Sequence, residues 1–439
     1  MADDAPLPEF PAPEASRRVL VLAPHCDDET LGVGAFIADA RRRGVPVTVA
    51  FLTNGDGFPV AAGRDLRDVS LTGAEMVRFA EKRQAEALRA MMALGVAPDN
   101  VVFLGYPDRG LKAMWETHWE PSTPFRSPFT KCSHSPYPRT FTPNTPYSGS
   151  ALLADLERLI RKVRPTDVFV THPADDHPDH YSAAAFTQAA LQTTPDNAIR
   201  LHYYIVHRGD WPLPQGAHPD KPLVPPPGLT DRDTHWRSYA PSPEAREAKK
   251  RALSAYASQL AVMGRFLRSF LRENEIFGSL DVAHVSRHKM ATALDGRQDD
   301  LARYLDPAAD VSAISVARTE DGAALRVLVT LRGPVSNRVR YNLLVRGNTP
   351  PRFGGIASDD SSAVWLPLAV KAPGARVLQA TIPLASLGTK TPRCVWIAAE
   401  TRWRGTGRLK DLPPVDRFGY RPFLLDATDE TPPKETMIR

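Results

Sequence analysis

Two short stretches of this chain concentrate groups that bind cations and move protons. Ala23-Pro24-His25-Cys26-Asp27-Asp28-Glu29-Thr30 places one imidazole beside three carboxylates. Carboxylates this close repel one another unless a cation or a proton compensates them. The second stretch, Thr171 to His180, holds three of the twelve histidines and three aspartates within the nine residues 172–180. His177 and His180 stand three apart where a helical pattern begins, so they project to one side. Each stretch alone has a plainer reading: Asp28 or Thr30 capping a helix, and histidines facing water in a polar loop. Two such clusters, each directly after a buried strand, point to one shared metal site. Histidine and carboxylate ligation with an open fourth position suits catalytic zinc. Zinc there polarises an amide carbonyl and lowers the pKa of a bound water. An aspartate and a histidine left over from ligation supply the base and the acid of hydrolysis.

The elements around these clusters predict an α/β domain. Arg18 to Ala23 is a continuous apolar run, followed by helical spacing over residues 31–43 and a Val-rich run over 45–52. Helical spacing returns over 73–94, 150–163 and 179–191, separated by strand-type runs at 101–104, 167–171 and 201–206. Short apolar strands alternating with longer helices predict βαβ units and a Rossmann-like, mostly parallel sheet with flanking helices. Ligands of such sheets bind beyond the carboxyl ends of the strands, where both clusters fall. Residues 112–149 read as a long insert, 207–243 as a proline-rich stretch with Pro225, Pro226 and Pro227 in a row, and 243–272 as one long closing helix. After about residue 300, β-type runs punctuated by Gly, Pro and Asn predict an all-β sandwich with no cluster of His, Asp and Glu. The expected organisation is a disordered, proline-rich arm over 1–17, a catalytic domain over 18–292, a sandwich over 300–427 and a flexible tail over 428–439.

Composition excludes several classes. The 439 residues are 42% hydrophobic and 24% charged with a net charge of +5, which allows a real core and gives little reason to invoke an anionic partner. Lys/Arg-rich runs with interleaved aromatics are missing, which speaks against nucleic acid. Cys26, Cys132 and Cys394 are odd in number and far apart, so neither a disulfide framework nor a thiolate zinc site is expected. No apolar run reaches membrane-spanning length, and the acidic, proline-rich start lacks the pattern of a signal peptide. A cytoplasmic location is the default expectation, with an exported mature form as the alternative. Gly32-Val33-Gly34 hints at a dinucleotide fingerprint, but a third glycine is missing and acidic residues fill the turn.

The paired clusters resemble the motifs of the PIG-L/LmbE-like family of zinc N-deacetylases, (P/A)-H-P-D-D-E-x-x-G and H-P-x-D-x-H-x-D-H. Further likeness lies in Arg83-Gln84-Ala85-Glu86, Leu94-Gly95-Val96, Leu104-Gly105-Tyr106-Pro107-Asp108, Ser258-Gln259, and Glu275 with Phe277. The resemblance spans about residues 18–280. It implies that His25, Asp28 and His180 ligate zinc, that Asp27 is the general base, and that His177 acts as acid or stabilises the oxyanion. It also implies that Arg83 and Asp108 contact the sugar part of a substrate. Cys26 departs from the pattern, since proline is usual there; its side chain is expected to point away from His25. Trp211, at the carboxyl edge after the fifth strand, is a candidate to stack on a sugar, or else to anchor the proline-rich loop.

The expected activity is removal of the N-acetyl group from an N-acetylglucosamine-type sugar in a glycoconjugate or glycan. Two rivals stand beside it. One is an amide hydrolase of the same site type acting on a cofactor-like or lipid-linked conjugate. The other is a carbohydrate-binding protein with a vestigial metal site.

Overall fold

A computed structural model of the chain describes residues 6–68, 70–194, 199–229, 233–281, 283–286, 289–294, 306–348, 363–368, 374–387, 392–404 and 415–425. The chain divides into two compact units, one of Met1–Pro226 with Thr234–Ser279, the other of Pro227–Asp233 with Leu280–Arg439.

In the first unit the elements run β1 (Val19–Ala23), α1 (Asp28–Arg42), β2 (Val47–Thr53), α2 (Pro59–Leu66), α3 (Gly73–Ala93), β3 (Val101–Tyr106), α4 (Leu111–Glu116), α5 (Gly149–Val163), β4 (Asp167–Thr171), α6 (Pro178–Gln192), β5 (Arg200–Tyr204), β6 (Thr234–Tyr239), α7 (Pro243–Ser254), α8 (Ala257–Arg268) and β7 (Glu275–Leu280). The sheet order is β3-β2-β1-β4-β5-β7-β6. Strands β3 to β5 pair in parallel, while β7 meets β5 antiparallel. Every residue of β1 and β4 is buried, as strands covered on both faces require. The order reverses between β1 and β4, which places the ends of these two neighbours at the crevice where ligands of open α/β sheets bind.

Three local features depart from the sequence reading. The arm expected to be disordered over 1–17 is packed where it is described. Phe10 is buried, its ring 4.7 Å from Phe277 and 5.0 Å from His202, and the backbone of residues 8–10 bonds to Ser238 on β6. One large aromatic side chain with an apolar seat outweighs four prolines. The closing helix is two helices, α7 and α8, because Tyr256 between them leaves the helical region with φ −83 and ψ 55. A buried ion pair engages the backbone of helix α1: Lys249 Nζ donates to Leu31 O and to Glu275, and the Glu275 carboxylate accepts the amides of Ala35 and Phe36.

The second unit holds β8 (Ala283–Val285), β9 (Ala291–Leu294), β10 (Val311–Arg318), β11 (Ala324–Leu331), β12 (Val339–Asn348), β13 (Ala363–Pro367), β14 (Val377–Pro383), β15 (Cys394–Trp403) and β16 (Asp416–Leu425). They form two sheets, β14-β11-β10-β9 and β13-β12-β15-β16-β8. Side chains of both sheets, among them Val316, Val327, Leu343 and Ile397, share one core. The unit takes in Pro227–Asp233, and its C-terminal run begins at Leu280, before the expected boundary of 292–300, because β8 pairs with β16 and β9 with β10. The expected tail, 428–439, lies outside the described residues.

Candidate active site

The first cluster leaves β1 and enters α1 within four residues. Asp27 occupies the N-cap position, yet its side chain makes no cap hydrogen bond, so neither Asp28 nor Thr30 is spent on capping. The second cluster leaves β4 and enters α6, with His177 at the N-cap and Pro178 at the first helical position. Both turns therefore aim at one crevice.

There, Nδ1 of His25, Nε2 of His180 and Oδ2 of Asp28 lie within 3.1–3.2 Å of one another. Tetrahedral zinc with bonds of about 2.0 Å separates its ligands by about 3.3 Å. The three atoms thus form one face of a tetrahedron of the right size, and the donor set fits a divalent cation. Outer groups fix these side chains. Nε2 of His25 lies 3.2 Å from Asp108 and 3.3 Å from Asp179, and Nδ1 of His180 lies 3.1 Å from Asp175. Carboxylates behind ligating imidazoles set ring orientation and raise ligand basicity. Asp179 is itself held by the amides of Arg109 and Leu111, and Asp175 by those of His177, Val206 and His207.

The electrostatics follow from burial and these neighbours. Burial disfavours a charged His180 ring, but Asp175 and Asp28 outweigh it and lift its pKa to about 9. Burial also works to raise Asp28, but His180 and His25 hold it well below the usual carboxylate range. Imidazoles that keep a proton this firmly between carboxylates are placed to exchange it for a cation. Burial pushes Asp27 up to about 7 against the pull of Arg83. Burial, with His25, His180 and His207 alongside, keeps the His177 ring neutral by driving its pKa well below the ordinary value. Nδ1 of His177 accepts the Asp179 amide, so the neutral ring carries its proton on Nε2.

The predicted residues separate clearly in space. His25, Asp27, Asp28, His177, Arg83 and Asp108 all line one cavity of about 140 Å³. Arg83 lies 3.5 Å from Asp27 and donates to the carbonyls of Cys26 and Gly55. Gly55 makes room for it, since a Cβ there would sit 1.6 Å from the guanidinium. Both oxygens of Asp108 are engaged, one against His25 and one by the Gly57 amide, which makes it a support of His25 as well as a wall. Trp211 does not line this cavity, contrary to the sugar-stacking expectation. Its indole donates to Val224 O and its ring packs on Phe270, so it anchors the proline-rich stretch. His172 also turns away, onto Trp236 and Thr234. The Cys26 thiol points toward Thr53 O, and burial holds it well above its ordinary pKa.

The stretch after the fifth strand, a candidate wall in the sequence, contributes His207, and the quoted Gln259 also lines the cavity; what the sequence did not reveal is Phe58, and Met263, Phe266 and Leu267 of α8. His207 stacks on Phe266 at 5.5 Å, and its ring lies 4.8 Å from that of His180. A larger cavity of about 480 Å³ lies at the amino ends of the strands, near Val19, Asp167 and Arg200, away from the donor atoms.

Known proteins match this description. Residues 20–191 match the family model "PIG-L: GlcNAc-PI de-N-acetylase". A 1D-myo-inositol 2-acetamido-2-deoxy-alpha-D-glucopyranoside deacetylase of Tsukamurella paurometabola is 28% identical over 282 residues, covering 56% of this chain and 84% of that protein. A deacetylase of the same name from Acidothermus cellulolyticus is 29% identical over 325 residues, covering 68% and 99%. Among solved structures, the N,N'-diacetylchitobiose deacetylase of Pyrococcus horikoshii is similar at 20% identity and a TM-score of 0.35, covering 60% of this chain and 82% of that one. The class is that of a hydrolase, a deacetylase. Residues 20–191 form a PIG-L family domain.

Proposed function

We propose that the protein is a zinc-dependent N-deacetylase that removes acetate from an N-acetylglucosamine-type sugar within a larger conjugate. The observation that carries this reading is the His25–Asp28–His180 face of a tetrahedron with Asp27 and His177 beside it in one cavity. Zinc held by these three would supply a Lewis acid for the amide carbonyl and acidify a water. Asp27, pushed by burial up to about 7, takes the proton of the attacking water in its ionised form. The new bond joins that oxygen to the carbonyl carbon. His177, neutral and protonated on Nε2, donates to the carbonyl oxygen as negative charge develops there. The carbon–nitrogen bond then breaks, the proton passes to the leaving nitrogen, and acetate and a free amine result. Arg83, buried and bound to two carbonyls, fixes Asp27 from behind.

The named activity of both relatives supports an N-acetylglucosamine conjugate as substrate. Beside the polar His207 and Gln259, the wall is largely apolar: Leu31, Phe58, Met263, Phe266 and Leu267 offer a seat to an apolar portion of a conjugate, which supports the lipid-linked alternative. Acetate release should be measured with the zinc-loaded protein on N-acetylglucosamine, its inositol conjugate and its alkyl glycosides. Release from at least one is expected. A folded, zinc-loaded protein inert on every N-acetyl sugar would sink the reading.

A further inference from the structure

Asp27 holds its place in an unfavourable backbone conformation. Its φ of 150 and ψ of −27 lie where a side chain is rarely tolerated, and the residue is buried. Two contacts hold it there. Its amide lies 3.1 Å from His25 O and 3.2 Å from Oε2 of Glu29. The Glu29 carboxylate is fully buried, and its other oxygen accepts two short hydrogen bonds, 2.5 Å from Thr30 Oγ1 and 2.5 Å from the hydroxyl of Tyr256. Tyr256 comes from 227 positions away and is also fully buried. It immediately precedes α8, which contributes Gln259, Met263, Phe266 and Leu267 to the cavity. The mechanism above uses neither Glu29 nor Tyr256.

We infer that Glu29 and Tyr256 are positioning residues for the reaction: Tyr256 orients the Glu29 carboxylate, and that carboxylate fixes the strained Asp27 amide so that the Asp27 side chain faces the cavity. The inference rests on the reading of Asp27 as general base. A fully buried carboxylate must find donors, and here the Asp27 amide, the Thr30 hydroxyl and the Tyr256 hydroxyl share it. Among the described residues, the Tyr256 hydroxyl is the donor that reaches it from outside the 25–30 segment. Removing that hydroxyl frees the carboxylate to rotate, and the Asp27 amide loses its directed partner. The turn then relaxes toward ordinary φ, which swings the Asp27 side chain. A misplacement of about 1 Å in such a group costs about 100-fold in rate.

Four proteins decide this: Tyr256→Phe and Glu29→Gln, each made in the parent and in Asp27→Asn. In the parent, both changes should lower kcat by about 10- to 100-fold while KM and the zinc content per chain stay put. In Asp27→Asn, neither should lower the residual rate further, because the group they position has lost its function. In the metal-free protein, amide hydrogen exchange over residues 25–30, read by mass spectrometry, should quicken in Tyr256→Phe. Equal losses in both backgrounds would mean general damage and overturn the inference, as would a Tyr256→Phe protein with full kcat. If Glu29→Gln fails to fold, Tyr256→Phe, which removes a single oxygen, decides alone. If Asp27→Asn itself proves fully active, the general-base reading fails first, visibly, and the positioning role falls with it.

Discussion

His25 Nδ1 and His180 Nε2 lie 3.1 Å apart although 155 positions separate them in the chain. Asp28 Oδ2 completes the set at 3.1–3.2 Å from both, so three donor atoms of the kinds that bind zinc converge on one point. We therefore expect one zinc per chain by elemental analysis of the purified protein. His180→Ala and Asp28→Ala should each lose most of it, since two remaining ligands hold zinc poorly. Removal of zinc by a chelator should abolish acetate release and re-addition should restore it. A metal-free protein with full activity contradicts the site.

Asp27→Asn separates binding from chemistry. The side chain lies beside the three donors without being one of them, so the variant should keep its zinc and lose turnover by roughly 10²–10⁴-fold. The pH profile has a definite sign. A base works only when deprotonated, so activity should rise with pH along an acid limb. Burial puts that limb near 7, and a neighbouring divalent cation moves it lower, so it should lie at or below about pH 7. A variant that loses zinc instead would show that Asp27 is a ligand.

The site was legible in the sequence to the extent that its chemistry is local. His25 with Asp28, and His177 with His180, sit within three residues of each other at strand ends, and continuous apolar runs betray those strands. Asp175 and Asp179, which brace His180 and His25, stand in the same quoted stretch, but nothing in their spacing tells a supporting carboxylate from a ligating one. The wall built by α8 was not legible, because its partners lie far off in sequence: Tyr256 meets Glu29 across 227 positions. The same holds for Phe10, whose burial depends on Phe36, Phe169, His202, Tyr239 and Phe277 converging from five separate elements. Trp211 was ambiguous because stacking on a sugar and anchoring a loop ask for the same residue.

Asp56 gives a test of stability rather than rate. It is buried, accepts the Asp108 amide and the Tyr137 hydroxyl, and burial together with the Asp108 charge raises its pKa to about 7. The unfolded value is about 3.9. A raised carboxyl contributes stability in full below the unfolded value and loses it as pH rises through the folded one. Asp56→Asn mimics the protonated form and still accepts the Asp108 amide. It should therefore gain on the parent by a few degrees in Tm at pH 8, on the order of 2 kcal/mol, with the gap closing at pH 4.5. A difference independent of pH would mean that Asp56 stays ionised in the fold.

The division into two units makes the last prediction. The groups of His, Asp and Glu close enough to hold a cation, among the described residues, all fall between His25 and His207, inside the first unit. The second unit packs around its own core, from Val285 to Leu425. A chain ending at Ser279 should then fold, bind one zinc and deacetylate a small N-acetylated sugar within about tenfold of the parent rate, the scale of a mutation that leaves the transition-state contacts in place. Where the cut falls matters. Ending at residue 292 would keep β8 and part of β9 while removing β16 and β10, with which they pair. Unpaired strand edges and uncovered apolar side chains promote association, so the longer chain should be the more prone to aggregate. Gel filtration, zinc analysis and kcat on the two chains settle the matter. If the shorter chain is monodisperse and zinc-loaded yet inert on every small substrate, the second unit supplies something the reaction needs, and the assignment of all the chemistry to the first unit is wrong.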